Sequence, residues 1–460
     1  MSLLRTKPIA DLQREAAAEH GYKRTLGPVS LISLGIGSVV GAGIFVLAGT
    51  SAAQYAGPGI ALSFVVAGIA CLFAGLCYAE LASMIPVSGS AYTYSYATLG
   101  ELLAWIVGWC LVLEYLFSGA AVAVSWSGAV RDIVAEFGVT LPLALSSAPL
   151  AVEGGQLVTT GAIINFPAVF INLALTYVLY IGIRESASVN DVMVLVKVGI
   201  LIALIGYGLW YLLKHPDIAR ANLVPLVPEN TGTFGEYGWS GVFRGAAAIF
   251  FAYVGFDCVS AAAQETKNPQ RDMPIGLLGT LGIVSLLFIG VSLVLTGMVP
   301  YKELNVDAPF IYALQHVQAP AFFRYLIEAA TLAGLTSVIL VSLLGQPRIF
   351  YSMSRDGLLP KSFAKIHPKY GTPHITTWIT GIACAVISGL FPLDLLGELI
   401  SIGTMLAFSL VCAGVLVLRR TRPDLPRPFK TPLVPLVPLL GIGSCALQMY
   451  FLPLITWLNL

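Results

Sequence analysis

Long apolar segments recur along the whole chain, and they limit the folds that it can adopt. A helix of about 20 apolar residues crosses a hydrocarbon layer roughly 30 Å thick, whereas a membrane β-barrel requires alternating segments of about ten residues. Hydrophobic residues make up 57% of the 460 residues and charged residues 11%, which excludes a water-soluble globule. The sequence therefore predicts an all-α polytopic membrane protein with eleven spans, numbered 1 to 11, at residues 28–50, 59–84, 101–130, 162–183, 190–213, 241–265, 275–299, 322–355, 375–391, 393–418 and 432–454.

The positions of Lys and Arg predict how the spans are oriented. If the N-terminus lies in the cytoplasm, 18 of the 25 cationic residues fall on the cytoplasmic side and 6 on the other, while Lys197 falls within span 5. An excess of Lys and Arg in cytoplasmic loops is the usual bias of membrane proteins. The first 25 residues are polar and lack the apolar core and cleavage site of a signal peptide. These features predict a multi-pass protein of the cell membrane with a cytoplasmic N-terminus.

Two connecting segments differ in composition from the spans around them. Residues 85–100 are rich in Ser, Tyr and Gly and contain no Lys or Arg, which favours a short re-entrant or interfacial helix; an ordinary loop is the alternative. Residues 214–240 contain three prolines and predict an external loop with one short helix. Neither segment is large enough to form a separate soluble domain.

Residue types that carry enzyme chemistry are sparse and are not grouped. The seven cysteines all lie in apolar stretches without metal-type spacing, which indicates packing residues rather than disulfides or ligands. The five histidines fall in loops or near the ends of spans, and the motifs HExxH and GxSxG are absent. The net charge of +1 gives no basis for binding nucleic acid. The sequence predicts neither an enzyme nor a protein that holds a metal ion or an organic cofactor.

Span 1 contains four glycines in its central part, Gly35, Gly37, Gly41 and Gly43. Glycine disfavours helix and permits unusual backbone angles, so we expect a break near residues 41–43. Such a break is tolerated at membrane depth only where the freed N–H and C=O groups face protein, water or a ligand, and freed N–H groups can bind a carboxylate. The alternative is close helix packing through small residues spaced four apart.

Span 6 contains a second interruption, the segment FFAYVGFD at residues 250–257, which includes Gly255 and the ionisable Asp257. Paired broken helices are typical of transporters that are built from repeated halves and bind their substrate between them. Because the two breaks lie five spans apart, they favour such a transporter over simple helix packing. A receptor or a channel does not account for two paired breaks.

Three of the ionisable side chains in the predicted spans are candidates for a functional role. Placing an ionisable group inside the membrane costs free energy, so such a residue is functional by default. Burial disfavours the charged ammonium of Lys197 in span 5, which makes it a candidate for proton exchange; snorkelling to an interface is the alternative. Glu114 in span 3 can attract a cationic side chain, hold a proton or pair with a hydroxyl. Asp257 is a candidate brace for the break in span 6, with substrate binding as the alternative. Thr336 and Ser337 in span 8 offer hydroxyls that can face Lys197 or bond back to their own helix.

Several segments resemble the amino acid–polyamine–organocation superfamily, specifically its cationic amino acid transporter branch. They read GSVVGAGIF at 37–45, FFAYVGFD at 250–257, ETKNPQRDMPIG at 265–276, PRIFYSMSRDGLLP at 347–360 and SIGTMLAF at 401–408. The resemblance extends from about Leu26 to the end of the chain. It implies a LeuT-like fold, an inverted repeat of five plus five helices in which the broken spans 1 and 6 surround the substrate.

The same resemblance implies positions for the substrate and the coupling proton. The α-carboxylate would meet N–H groups of span 1, and the α-amino group would meet carbonyls of spans 1 and 6. The substrate-binding residues are then Val40, Gly41, Ala42, Gly43, Ile44, Phe251, Ala252 and Val254, with Glu114 and Asp257 beside them. Lys197 would take the place of a coupling sodium ion near the break in span 1, with Thr336 and Ser337 facing it.

The resemblance also implies a division of the chain. Residues 1–25 form a cytoplasmic segment, residues 26–418 form the ten-helix transport core with repeats at 26–214 and 240–418, and residues 419–460 form a loop and span 11. Members of this branch have twelve or more spans, so we expect either a truncated chain or a missing twelfth helix.

The sequence thus predicts a secondary active transporter for L-amino acids, with proton-coupled symport of small neutral or broad-range substrates as the leading hypothesis. Uptake of arginine and lysine, or exchange of one amino acid for another or for an amine, is the alternative. The predicted partners are the amino acid, protons and membrane lipid. A small accessory membrane subunit is also compatible with the sequence, but no residue identifies one.

Overall fold

The computed structural model describes residues 5–18, 24–41, 43–136, 138–153, 156–306, 309–391 and 393–450, most of them in helices. Each predicted span contains a helix. The helices of spans 1 to 11 are Pro28–Val39, Ile60–Met84, Glu101–Glu136, Phe166–Ile181, Ile183–Lys214, Gly238–Ile249, Pro269–Met298, Ala321–Arg355, His374–Leu390, Leu393–Thr421 and Leu436–Tyr450. Within this part of the chain, six helical stretches, in spans 2, 3, 5, 7, 8 and 10, are long and apolar enough to cross a membrane. The predicted multi-pass helical protein is confirmed.

Span 1 is broken, as the glycines predict. Its helix ends at Val39, and Val40 has an extended backbone with φ −80° and ψ 94°. Beyond the break the chain continues through a π-helix at Gly43–Leu47. A helix at Ala48–Ser51, a second π-helix at Ala52–Ala56 and a 3-10 turn at Gly57–Gly59 then lead into span 2.

Span 6 is broken in the same manner. Its first helix, Gly238–Ile249, tightens into a 3-10 turn at Phe250–Tyr253. Gly255 then has φ +107°, a left-handed conformation that a side chain would strain, and this residue turns the chain out of the helix. A short helix follows at Cys258–Ala261, with a 3-10 turn at Ala263–Glu265.

Several short helices lie in the connections between the spans. One of them, Ser90–Thr98, lies in the segment for which the sequence predicts a re-entrant or interfacial helix, and nearly all of its side chains are buried in protein. The predicted external loop contains the short helix Pro216–Leu223. The remaining helical segments are Ile9–Ala18, Leu143–Ser146, Tyr301–Glu303, Pro309–His316 and Lys361–Ala364.

The otherwise helical chain contains one small two-stranded sheet. Strand β1 at Leu150–Glu153 pairs antiparallel with strand β2 at Gln156–Thr159, in the connection between spans 3 and 4. The sequence places two glycines between short Val-containing segments here, a recognisable hairpin signal. This hairpin lies outside the spans, so the predicted all-α membrane fold is unaffected.

Spans that correspond in the two repeats pack against each other. Span 2 contacts span 7, span 3 contacts span 8 and span 4 contacts span 9, and the two breaks also meet. Elements related by a two-fold axis meet in this way when the axis passes between the repeats. The contacts, together with the two breaks, establish the predicted LeuT-like fold of five plus five helices.

A buried ion cluster attaches the loop after span 10 to span 2. The carboxylate of Glu80, which is fully buried, accepts from Arg419 Nη2 at 2.8 Å, from Arg427 Nε at 3.1 Å and from the N–H of Thr431 at 2.7 Å. Arg427 is itself only 8% exposed. Each charge in this cluster therefore depends on the others for compensation.

Replacing Glu80 by glutamine is expected to destabilise the protein by about 3–5 kcal/mol, because it leaves the buried guanidinium of Arg427 without its counter-charge. Thermal unfolding in detergent checks this as a fall in Tm. Asp11→Asn is the control, since the Asp11–Arg14 pair is exposed and such pairs contribute little. Equal Tm values for the two variants would contradict a structural role for the cluster.

Candidate functional site

The breaks of spans 1 and 6 lie directly against each other. A Cβ atom added to Gly43 would stand 2.5 Å from the Cα of Ala252, so the two backbones meet there without space for a side chain. A Cβ atom on Gly255 would similarly stand 2.2 Å from Ser38 Oγ. Two segments that lie far apart in sequence therefore form one site.

The polar groups of the span 1 break have distinct environments. The N–H of Val40 still bonds within the first helix, to the carbonyl of Ile36. The carbonyl of Gly41 accepts from the N–H of Ile44 at 3.2 Å and from that of Phe45 at 3.3 Å, which starts the second helical segment. Ala42 lies outside the described residues. Gly43 and Ile44 form the N-terminal end of that segment, where backbone N–H groups and the helix dipole favour a negative charge.

The span 6 break presents its backbone toward the same point. Phe251 and Ala252 belong to the 3-10 turn that ends the first helix, and Val254 follows it. The next carbonyls are used to restart the helix, since that of Gly255 accepts from the N–H of Cys258 at 3.0 Å. The carbonyls of Phe251, Ala252 and Val254 thus precede the restart and lie at the C-terminal end of a helix, which favours a positive charge.

Lys197 is completely buried and bonds to the break in span 1. Its Nζ donates to the carbonyl of Gly37 at 3.0 Å, to the carbonyl of Val40 at 2.8 Å and to Ser337 Oγ at 2.6 Å. The last carbonyls of the broken helix are therefore satisfied by an ammonium group rather than by backbone N–H. This side chain connects spans 1, 5 and 8 at one atom.

The two span 8 hydroxyls point to different neighbours. Ser337 Oγ, besides contacting Lys197, lies 2.8 Å from the carbonyl oxygens of Gly37 and of Gly334. Thr336 Oγ1 donates to Leu332 O at 2.7 Å and accepts from Trp126 Nε1 of span 3 at 3.0 Å. Thr336 therefore attaches span 8 to span 3, and Ser337 alone of the two contacts Lys197.

Two buried carboxyl groups lie on the other side of the breaks. Asp257 Oδ2 accepts from Tyr115 Oη of span 3 at 3.0 Å, which connects the span 6 break to span 3. Glu114, the neighbour of Tyr115, is 2% exposed, so its carboxyl group is buried in protein. Thr404 of span 10 lies beside this carboxyl, and Asp257 is close enough to interact with it electrostatically.

The end of the bundle that carries the N-terminal segment is closed by ion pairs. Arg348 of span 8 donates to Glu265 at 2.6 Å, and both side chains are buried. Lys7 pairs with Asp356 at 2.6 Å, and Asp356 also accepts from Tyr92 Oη of the interfacial helix at 2.7 Å. Between these pairs, the N–H of Lys267 donates to the carbonyl of Leu26 at 2.9 Å. The start of span 1 is thereby fastened to the end of span 6.

Several residues of this region carry no role in the sequence prediction. Tyr115 and Trp126 bond to predicted site residues, and Glu265, Arg348 and Asp356 take part in ion pairs. The sequence does contain a signal for the three charged residues, because each lies at or near the end of an apolar span. Their pairing depends on how the helices are arranged, which the sequence does not give.

The architecture defines the class of protein. Over 96% of this chain and 92% of the other, the structure matches that of a Na+-coupled sialic acid symporter in a substrate-bound outward-open state, with a TM-score of 0.57 and 12% sequence identity. At that identity the match concerns the fold alone. Two broken helices that meet between repeated halves are typical of secondary transporters.

The chain belongs to the amino acid permease family, whose model matches residues 26–457. It is therefore a multi-pass membrane amino acid transporter, and the predicted superfamily is confirmed. It is 45% identical to the branched-chain amino acid permease BcaP of Bacillus subtilis (strain 168), over 96% of this chain and 91% of that protein. It is 43% identical to the methylthioribose transporter of the same strain, over 100% of this chain and 94% of that protein. It is 36% identical to the vacuolar cationic amino acid transporter 4 of Arabidopsis thaliana, over 88% of this chain and 65% of that protein.

Proposed function

We propose that this chain is a proton-coupled symporter that brings small or branched neutral L-amino acids across the cell membrane unchanged, with its N-terminus in the cytoplasm. The observation that carries the proposal is the completely buried Lys197, whose ammonium donates to the carbonyls of Gly37 and Val40. A charged ammonium at membrane depth is costly, so an ionisable residue in this position is a functional candidate by default. The orientation is supported by the excess of Lys and Arg on the N-terminal side.

Protonation of Lys197 couples naturally to the state of the span 1 break. The ammonium holds the carbonyls of Gly37 and Val40 together with Ser337 of span 8. A neutral amine has fewer hydrogens to donate and no charge, so it holds the same groups more weakly. Loss of the proton therefore loosens span 1 from span 8 next to the proposed substrate site. An exchanger needs no such group.

The proposed site for the α-carboxylate is the end of the π-helix at Gly43 and Ile44, with Gly41 and Ala42 beside it. The proposed site for the α-amino group is formed by the carbonyls of Phe251, Ala252 and Val254, with Val40 shared with Lys197. The residues next to the break are glycines and apolar side chains, since Gly41 faces Val338 and Gly334 faces Phe45. Such a lining suits an aliphatic substrate side chain, and one relative is named for branched-chain amino acids.

Uptake of cationic amino acids is the second candidate, and a specific observation favours it. Glu114 is a buried carboxyl, with the hydroxyl of Thr404 beside it and Asp257 close enough to repel its negative charge. A cationic substrate side chain that reached this pair would compensate its charge. Several relatives are named as cationic amino acid transporters.

Uptake into proteoliposomes distinguishes these proposals. We expect radiolabelled leucine and alanine to accumulate when the outside is acidic, and arginine to accumulate less. Accumulation of arginine above leucine would instead favour the cationic function. Flux that requires internal amino acid and ignores the proton gradient would identify an exchanger and overturn the proposed coupling.

A further inference from the structure

A second buried polar side chain lies on the same face of span 5 as Lys197. Asn190 precedes Lys197 by seven residues, which is two turns or about 10 Å of helix, and it is 1% exposed. Its Nδ2 donates to the carbonyl of Ser33 at 3.0 Å and to Ser33 Oγ at 3.4 Å. Lys197 and Asn190 therefore bond to the same helix of span 1, and Asn190 does so nearer the cytoplasmic end.

The amide oxygen of Asn190 is oriented toward the residue that Lys197 binds. A Cβ atom on Gly37 would stand 2.1 Å from Asn190 Oδ1, so the amide lies flat against this glycine. The carbonyl of the same Gly37 accepts from Lys197 Nζ at 3.0 Å. Oδ1 is buried and has no hydrogen-bond partner in the part of the chain that the structure describes. An unused acceptor inside a membrane protein is costly and calls for an explanation.

We propose that Asn190 is a positioning residue for proton release, whose amide oxygen holds the water molecule that takes the proton of Lys197 toward the cytoplasm. The ammonium transfers one proton to this water and becomes a neutral amine. The resulting hydronium is stabilised by Oδ1 and passes its proton to cytoplasmic water on the side of Ser33, which is only partly buried. This inference rests on the proposed proton coupling.

The described groups around this path are neutral. Span 1 contributes Ser33, span 7 contributes Thr280 and span 8 contributes Ser337, all of them hydroxyls. Asp191 follows Asn190 but is exposed on another face of the helix. Among the hydrogen bonds and ion pairs of the described residues, no carboxylate reaches Lys197 or Asn190. Unlike the acceptors already bonded to Lys197, the amide oxygen of Asn190 has no partner among the described residues, so it is available to stabilise the released proton.

A pair of nearly isosteric variants isolates the acceptor. Asn190→Thr keeps a hydroxyl and Asn190→Val does not, so the two differ by one polar group at equal volume. We expect Asn190→Val to lose net proton-driven leucine accumulation by about tenfold while Asn190→Thr stays within about threefold of the native chain. Leucine exchange at equal pH, which requires no proton release, should be the same in both. This separation of net uptake from exchange is not produced by a merely structural role.

Asn172 provides a matched control on span 4. It is fully buried, its Nδ2 donates to Ser388 Oγ at 3.0 Å, and its Oδ1 likewise has no partner among the described residues. It contacts span 9 rather than Lys197, so Asn172→Val should change net uptake and exchange together or not at all. If the β-branched variants do not fold, Asn190→Ser and Asn190→Ala repeat the comparison.

Equal net uptake by the hydroxyl and the apolar variant would overturn the role of Asn190, as would a parallel loss of uptake and exchange. If the native chain itself ignores the proton gradient, the proposed function fails and this inference fails with it. If both the native chain and Asn190→Val couple uptake to protons, the proposed function stands. Only the proposed role of Asn190 is then wrong.

Discussion

Substituting alanine for Lys197 is expected to lower proton-driven leucine accumulation by about a hundredfold, because the variant has no group at the span 1 break that can take up and release a proton. The carbonyl of Val40 also loses its 2.8 Å donor. The measurement is leucine uptake into proteoliposomes with an inward proton gradient, followed together with internal pH. Proton entry driven by leucine should disappear in the variant.

A lysine at the far end of the same helix controls for loss of charge. Lys214 is exposed, stands over the ring of Trp210 at 4.4 Å and is far from the breaks. Lys214→Ala should transport as the native chain does. Unchanged coupling in Lys197→Ala, with folding verified by thermal unfolding, would show that the proton is carried elsewhere, and Glu114 would become the leading candidate.

Lys197 also explains why the span 1 break is stable at membrane depth. Carbonyls freed from a helix cost several kcal/mol in hydrocarbon unless they find donors. The ammonium supplies donors to Gly37 and Val40, while Ser337 contacts Gly37 as well. The same contacts that stabilise the fold thus depend on the protonation state. In the proposed mechanism, the stability of the break and the proton coupling therefore depend on the same contacts.

Much of the fold follows from the sequence because lipid imposes a simple rule on the backbone. Every spanning segment must satisfy its own hydrogen bonds, so apolar runs of sufficient length become helices. The ends of the helices follow less closely. Span 5 begins at Ile183 instead of residue 190, and span 7 at Pro269 instead of residue 275. Hydropathy indicates which residues prefer lipid. A helix can extend beyond those residues into the membrane interface, so its ends are not given by hydropathy.

The site was less accessible to sequence reasoning because it depends on how the helices are rotated. Successive residues on a helix point about 100° apart, so Thr336 and Ser337 cannot both face Lys197. Composition does not choose between them; in the structure Ser337 contacts Lys197 and Thr336 contacts Trp126. The contacts of Asn190 with span 1 are hidden from the sequence for the same reason. A polar residue near the end of an apolar run looks like a boundary until its contacts are known.

Replacing Gly43 by alanine is expected to reduce transport by about a hundredfold, because displacing the groups of a binding site by about 1 Å has effects of this size. The added Cβ would stand 2.5 Å from Ala252 Cα and 2.6 Å from its Cβ, so the breaks of spans 1 and 6 must separate. Neither backbone can yield without moving the N–H and C=O groups proposed to bind the amino acid. Leucine binding, measured by scintillation proximity, should fall in parallel with uptake.

The result is informative because another glycine lacks this constraint. A Cβ on Gly199 of span 5 would meet no described atom within 4 Å, so Gly199→Ala should bind and transport normally and its helix should gain slightly in stability. Adding Ala252→Gly to Gly43→Ala removes the clash between the two methyl groups, but the new methyl group still meets the backbone of residue 252. Binding should therefore recover only in part. Full activity in Gly43→Ala would mean that the substrate does not bind where the two breaks meet, and the proposed carboxylate site would have to lie elsewhere.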